Sequence, residues 1–178
     1  GVSNMTGLTT SSQKCSHEGV LYIDTPGLND SDKESNKKYA KEIERALKLN
    51  ANYKLVFVAK LDSGRIRVSD FFTIKKVCDA IDINQLEYGI IFNQISKNVI
   101  KKLINTEEKL EIKKAKLENK ILDEMRKTEG LGKKPASVLI LEYNEDLHDE
   151  DNVYIQKVDE KGRLSYFIKN LKSNYIKE

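Results

Sequence analysis

Asp24 ends a short apolar run at residues 20–23, and a Pro-Gly turn at Pro26 and Gly27 follows it. An apolar run bounded by turn signals predicts a buried strand. Asp24 then stands at the carboxyl end of a strand, where open α/β sheets place their ligands. Pro26 has a fixed φ and no N–H, whereas Gly27 lacks a Cβ, so its backbone can approach a ligand closely. The spacing therefore predicts that the Gly27 N–H can meet an anion.

These residues, Asp24-Thr25-Pro26-Gly27-Leu28, resemble the Walker B and switch II motif, Asp-x-x-Gly, of P-loop GTPases. The full form is typical of the AIG-type (immunity-associated), septin-like and chloroplast-import group. The resemblance implies that Asp24 holds Mg²⁺ through water and that the Gly27 N–H contacts the γ-phosphate of GTP. The same letters also fit an ordinary strand that is followed by a Pro-Gly turn.

A loop rich in hydroxyl groups lies at residues 7–15, just before the Asp24 strand. In GTPases of this group, a switch I threonine in a similar loop ligates Mg²⁺ when the γ-phosphate is present. The resemblance assigns this role to Thr9 or Thr10, and the letters do not choose between them. A hydroxyl suits Mg²⁺, which takes oxygen ligands. The alternative interpretation is a flexible polar loop without a metal role.

A second motif, Asn93-Gln94-Ile95-Ser96, follows the predicted strand at residues 87–92. GTPases carry Asn-Lys-x-Asp there. The Asp accepts two hydrogen bonds from guanine, the Asn braces the loop, and the aliphatic stem of the Lys covers the base. Asn93 matches this pattern, while Gln94 replaces the Lys and Ser96 replaces the Asp. A serine hydroxyl can accept from guanine but cannot make a bidentate, charge-assisted contact. Preference for guanine over adenine is therefore in doubt, and the alternative is simply an asparagine that ends a strand.

Alternating apolar strands and amphipathic helices must position these motifs. Strands are predicted at residues 20–23, 53–59, 87–92 and 137–143, and helices at residues 35–49, 69–81, 99–127 and 162–176. The stretch at 99–127 is either one long amphipathic helix or a short helical pair. This order predicts an α/β fold with a mainly parallel sheet. The resemblance implies the P-loop NTPase-like form of that fold, a three-layer sandwich.

The sequence contains no Gly-x-x-x-x-Gly-Lys-[Ser/Thr] phosphate loop. In the resembling family that loop lies upstream of switch I, after the central strand of the sheet. We therefore expect a single partial G domain over residues 1–178 whose N-terminal strand and P-loop are missing. It comprises a switch I-like loop and strand (1–19), a core (20–143), a long amphipathic helix (99–128), and a C-terminal loop and helix (144–178). Nucleotide binding by these residues alone should be weak, and the sheet should have a gap with unpaired edges.

Composition excludes several classes of protein. The net charge of +3 is too small to argue for a nucleic-acid partner. The two cysteines, Cys15 and Cys78, do not imply a disulfide framework, which suits a cytoplasmic location. No apolar run approaches the ~20 residues that a membrane-spanning helix needs.

Two functions from different classes follow. The first is a nucleotide switch that uses GTP/GDP and Mg²⁺, hydrolyses GTP slowly and self-associates through its G domain. Slow hydrolysis is expected because Leu28 stands where many small GTPases have a water-orienting glutamine. The second is a degenerate G domain that binds no nucleotide and acts as an interaction scaffold. Its surface would be the helical stripe of Leu110, Leu117, Ile121 and Met125, which could form a coiled coil, although packing on the domain edge is favoured.

Overall fold

The structure is a computed structural model that describes residues 12–17, 19–25, 33–48, 52–81, 83, 85–142 and 158–175. It divides into two compact units. Unit 1 comprises Gly1–Tyr53 and Tyr175–Glu178, and unit 2 comprises Lys54–Asn174.

Unit 1 contains an antiparallel β-hairpin and a helix. Strand β1 (Gln13–His17) pairs with β2 (Val20–Asp24), so that His17 lies opposite Val20 and Gln13 lies opposite Asp24. Gly19, in the connection, has a φ of 75°, a left-handed conformation that tight hairpin turns require. The helix α1 (Lys33–Lys48) matches the predicted helix closely, and the short strand β3 (Asn52–Tyr53) follows it.

The hairpin corrects two predictions. Residues 13–16 were expected to lie in a loop but belong to β1. The strand at residues 20–23 was expected to be buried, yet Val20, Leu21 and Tyr22 are 46%, 41% and 40% exposed. The reason is that β2 has only β1 beside it among the described strands, and a two-stranded hairpin cannot enclose its own apolar side chains.

Unit 2 is built on a three-stranded parallel sheet. Its elements are β4 (Leu55–Ala59), β5 (Leu61–Asp62), β6 (Arg65–Ile66), α2 (Val68–Ala80), β7 (Tyr88–Ile95), α3 (Lys97–Leu103), α4 (Leu110–Lys127), β8 (Ser137–Glu142) and α5 (Val158–Asn170). The strand order is β4-β7-β8, with β7 in the middle and both pairings parallel. The predicted α/β class with a parallel sheet is therefore confirmed, although the Asp24 strand pairs antiparallel with β1. A last short strand, β9 (Asn174–Tyr175), follows α5.

The core of unit 2 surrounds the middle strand. Phe92 and Ile90 of β7 are fully buried. On the other face of the sheet, Phe167 of α5 packs with Ile91 and Leu139. Because residues alternate between the two faces of a strand, both faces of β7 contribute to the core, as in buried parallel sheets.

Several predicted boundaries differ from the structure. Residues 61–67, expected to form a loop, contain the small β5–β6 hairpin. Helix α2, expected from residue 69, begins at Val68; Arg67 holds its N-cap position and no side chain caps it. For the charged stretch at 99–127, the structure shows the helical pair, α3 and α4, rather than the single long helix. The last helix ends at Asn170 rather than at residue 176.

The linker at residues 129–135 has a structural role that its sequence did not suggest. The Lys133 ammonium donates a hydrogen bond to the Cys78 carbonyl (2.8 Å) and another to the Ile81 carbonyl. These groups close the carboxyl end of α2, whose last turn holds no basic residue. The Tyr88 hydroxyl donates to the Lys133 carbonyl at 2.9 Å. The linker therefore ties α2 to the middle strand.

Side chains cover the outer edge of β8 at Ile140. The Ile140 N–H donates to a Glu118 carboxylate oxygen (2.7 Å), and Arg163 donates to the Ile140 carbonyl (3.2 Å). Arg163 also pairs with Glu118, so α4 and α5 meet across this edge. Burial raises the pKa of Glu118, and the hydrogen bond from Ile140 and the charge of Arg163 oppose that rise.

A glutamate with a raised pKa makes stability depend on pH with a defined sign. Folded Glu118 keeps its proton to a higher pH than the unfolded chain does. Its contribution to the free energy of unfolding is therefore full below the ordinary glutamate pKa and is lost as pH rises through the raised pKa. We expect the free energy of unfolding of Glu118→Gln to fall less than that of the wild type as pH rises from the ordinary glutamate pKa through the raised one. Urea denaturation at several pH values in this range measures the difference.

Glu108→Gln is the matched control. Glu108 is exposed, and hydrogen bonds from Lys116 and Thr106 lower its pKa, so its contribution has the opposite sign. An identical pH dependence in wild type and Glu118→Gln would contradict the assignment.

Candidate functional site

The first candidate region is the end of the unit 1 hairpin. Asp24 is the last residue of β2 and is exposed, and Thr25 beside it is half-buried. The structure therefore places Asp24 at the carboxyl end of a strand, as the sequence predicted, but this strand belongs to an antiparallel hairpin and not to the parallel sheet. The other residues proposed for this region, Thr9, Thr10, Gly27 and Leu28, lie outside the described residues.

Helix α1 anchors the hairpin end that carries Asp24. The Ser12 hydroxyl donates to a Glu42 carboxylate oxygen (2.8 Å), and the Ser12 N–H donates to the same oxygen (3.4 Å). These bonds, with a further one from Arg45, lower the pKa of Glu42. Ser12 precedes Gln13, the register partner of Asp24. Glu42 thereby ties this end of the hairpin to the helix that follows it in the chain.

The second candidate region is the end of β7. The strand was predicted to stop at Phe92 but continues to Ile95, so Asn93 and Gln94 belong to it. Between Phe92 and Ile95, β7 advances by three residues while β8 advances by two, from Ile140 to Glu142. The extra residue makes a β-bulge, a device that redirects side chains at strand ends.

Backbone conformation and hydrogen bonds define the geometry of this bulge. Gln94 has a φ of 62°, which is uncommon for a residue with a Cβ. The Asn93 side-chain oxygen accepts a hydrogen bond from the Gln94 N–H at 2.8 Å. Asn93 therefore braces the backbone of the bulge.

Ser96 is the N-cap of α3. Its hydroxyl oxygen accepts from the Val99 N–H at 3.3 Å, and its backbone carbonyl accepts from the same N–H at 3.0 Å. A serine at this position is a preferred helix cap. The structure thus gives the Ser96 side chain a role in helix α3.

A buried ion pair at the end of β8 is a feature that the sequence did not reveal. Lys114 of α4 is 2% exposed, and its ammonium pairs with Glu142 and, at 3.0 Å, with Glu111. Lys97 lies 3.9 Å from the same Glu142 carboxylate. Glu142 is the register partner of Ile95, so this cluster adjoins the β7 bulge. The detectable signal was a lysine at helical spacing between the apolar residues Leu110 and Leu117.

Cys78 carries a thiol, a group that can act as a nucleophile in enzymes. Its side chain is 1% exposed. Burial raises the pKa of its thiol to about 12, so the thiol stays protonated at neutral pH. Cys78 is therefore a core residue of α2 rather than a reactive group.

The predicted residues fall into two sets. Asn93, Gln94 and Ser96 are brought together at one strand end in unit 2, and Asp24 belongs to unit 1. Of the residues predicted to hold Mg²⁺, only Asp24 is described, and an exposed carboxylate suits contact with the ion through water. Within the described ranges, no group of three or more His, Cys, Asp or Glu side chains could hold a metal ion.

The comparisons with known proteins assign no family to this chain. In the part of the chain that the structure describes, no helix is both long and apolar enough to cross a membrane. Comparisons of the chain with protein-family models, with curated proteins and with solved structures gave no match.

Proposed function

We propose that the chain is part of a guanine-nucleotide switch with a P-loop NTPase-like fold, of the AIG-type group that its motifs resemble. It binds GTP and GDP with Mg²⁺, hydrolyses GTP slowly in the full-length protein and associates with itself through this domain. The observation that carries the proposal is the position of Asn93–Ser96, at the carboxyl end of the middle strand of a parallel sheet. Ligands of open α/β sheets bind at such strand ends.

The bulge at Asn93 and Gln94 supports a role in ligand binding. Bulges next to binding sites redirect side chains, and non-glycine residues with positive φ cost on the order of 1–3 kcal/mol. Here the strained residue, Gln94, is exposed and stands where the resembling family has its base-covering lysine. Its aliphatic part can cover a base in the same manner.

The position of Asp24 supports its proposed role beside the phosphates of the nucleotide. It ends a strand, its hairpin end is anchored by Glu42, and it begins the Asp-Thr-Pro-Gly motif. In the proposed function it holds Mg²⁺ through water, with Thr9 or Thr10 as the hydroxyl ligand. The Gly27 N–H then reports the presence of the γ-phosphate.

The proposed nucleotide site also needs a phosphate loop, a motif that the given sequence does not contain. In the resembling family this loop follows the central strand of the sheet. Strand β4 lies at the edge of the described sheet, and its Val58 is 69% exposed. We propose that this edge accepts a further strand, which would cover such exposed apolar surface.

The scaffold alternative loses its proposed surface. Leu117, Ile121 and Met125 of α4 are at most 5% exposed, and Leu110 is half-buried. The stripe therefore faces the interior of unit 2, and the favoured interpretation, packing on the domain edge, agrees with this burial.

The proposal is tested by the metal dependence of nucleotide binding. We expect the full-length protein to bind fluorescent mant-GTP in the presence of Mg²⁺, and EDTA to weaken this binding. Asp24→Ala should lower the affinity roughly 10–100-fold, the usual effect of losing an outer-shell metal contact. Asp123→Ala, which removes an exposed carboxylate from α4, should leave the affinity unchanged. Equal affinities of the Asp24 and Asp123 variants would contradict the assigned role of Asp24.

A further inference from the structure

The Ser96 hydroxyl has limited capacity to recognise a base. The hydroxyl oxygen uses one of its two lone pairs to accept a hydrogen bond from the Val99 N–H at 3.3 Å, and in this way it caps helix α3. A hydroxyl carries one proton and two lone pairs, so one donor and one acceptor position remain. An aspartate in its place would keep a second carboxylate oxygen and several lone pairs for a ligand while capping the helix.

The two purines present different edges to such a group. Guanine offers two adjacent donors, its N1–H and its 2-amino group, which a carboxylate can accept together with its negative charge. Adenine offers an acceptor at N1 beside its 6-amino donor. A hydroxyl with one donor and one acceptor position can form a single neutral hydrogen bond with either edge. Charge-assisted pairs are about twice as strong as neutral ones, so Ser96 provides little discrimination.

The neighbouring carboxylate does not replace the missing aspartate. Glu142 of β8 is the register partner of Ile95 of β7, and Ile95 directly precedes Ser96 in the chain. Its side chain is 9% exposed and pairs with Lys114, which is itself 2% exposed, and with Lys97 at 3.9 Å. The carboxylate is thereby committed to two ammonium groups inside unit 2. If it turned to a base, the Lys114 ammonium would lose one of its two carboxylate partners inside unit 2 and keep only its contact with the more exposed Glu111.

We propose that the nucleotide site accepts ATP nearly as well as GTP, so that its ligand class is purine nucleoside triphosphates rather than guanine nucleotides alone. This inference rests on the proposed function. It follows from two features at the end of β7, the use of Ser96 as a helix cap and the pairing of Glu142 with lysines.

Substitution at Ser96 separates base recognition from helix capping. Aspartate and serine are N-caps of similar strength, whereas alanine is a poor one. Competition of GTP and ATP against mant-GTP on the full-length protein gives the selectivity of each variant. We expect the wild type to prefer GTP by less than about tenfold, because neutral hydrogen bonds differ little. Ser96→Asp should raise this preference to about 100-fold or more, since it restores two charge-assisted hydrogen bonds.

Ser96→Ala is the matched control, because it removes the cap but adds no acceptor. It should lower the melting temperature while leaving the GTP-to-ATP ratio within a few-fold of wild type, whereas Ser96→Asp should keep the wild-type melting temperature. A wild-type preference for GTP above about 100-fold would overturn the inference and leave the proposed function standing. An unchanged ratio in Ser96→Asp would also overturn it, since the base would then not meet this residue. Binding of neither nucleotide would remove the proposed function, and the inference with it.

Discussion

Replacing Lys114 with alanine is expected to lower the free energy of unfolding by about 3–5 kcal/mol, the usual cost of leaving a buried charge without its partner. The Lys114 side chain is 2% exposed and that of Glu142 is 9% exposed, and the two charges face each other between α4 and the end of β8. Removing the ammonium takes from the Glu142 carboxylate the charge partner that lies closer than Lys97, which stays at 3.9 Å. Urea denaturation of both proteins measures the difference.

Two further variants show whether burial causes this loss. Lys116, an exposed residue of the same helix, pairs with Glu108, which precedes the helix, and their side chains are 49% and 36% exposed. Lys116→Ala should therefore cost less than about 1 kcal/mol. The double variant Lys114→Met/Glu142→Met removes both charges and fills their space, so it should be much more stable than Lys114→Ala. Equal losses in Lys114→Ala and Lys116→Ala would contradict the account.

The second large effect is expected at Gly89 of β7. A Cβ at this position would lie 2.5 Å from the Cζ atom of Phe167, whose ring is buried against Ile91 and Leu139. The ring has little room to move in a close-packed core, so Gly89→Ala should lower the free energy of unfolding by about 1–3 kcal/mol. Thermal or urea denaturation measures this change.

A compensating substitution tests the same contact. Phe167→Leu shortens the side chain that would clash, so the double variant Gly89→Ala/Phe167→Leu should be more stable than the sum of the single effects indicates, by more than about 0.5 kcal/mol. Gly132→Ala is the control, because a Cβ there meets nothing within 4 Å. It should change stability by less than about 0.5 kcal/mol. Strictly additive effects at Gly89 and Phe167 would contradict the clash.

The parallel sheet was predictable because its strands are local apolar runs. Residues 55–59, 88–92 and 137–142 carry apolar side chains on both faces, which is typical of strands buried on two sides. Helix α1 was predictable for a similar reason, since its apolar residues recur at helical spacing. In each case the signal lies within one segment and needs no knowledge of its neighbours.

Features that depend on a distant partner were not predictable. Strand β1 (Gln13–His17) is polar and exposed, and it is a strand because β2 pairs with it. The β7 bulge arises from its register with β8. Lys114 interrupts an apolar stripe, but only the position of Glu142 at the end of another element explains why a charge is buried there. Pairwise contacts of this kind leave no periodic pattern in either segment.

For the same reason, the positions of the candidate site residues were predictable from the sequence, whereas the capping role of Ser96 was not. The positions of Asp24 and of Asn93–Ser96 near strand ends follow from apolar runs that stop at polar residues. The use of Ser96 as the cap of α3 depends on where the next helix begins, which the letters did not fix.

The measurement that tests the central claim most directly is hydrogen exchange of the full-length protein with and without a non-hydrolysable GTP analogue and Mg²⁺. The account expects slower exchange at the backbone amides of Asp24–Thr25 and, separately, at those of residues 94–97, with little change in the buried stripe of α4. Protection of both strand ends, lost when EDTA removes the metal, would agree with a nucleotide ligand. Unchanged exchange at both strand ends under saturating nucleotide would contradict it.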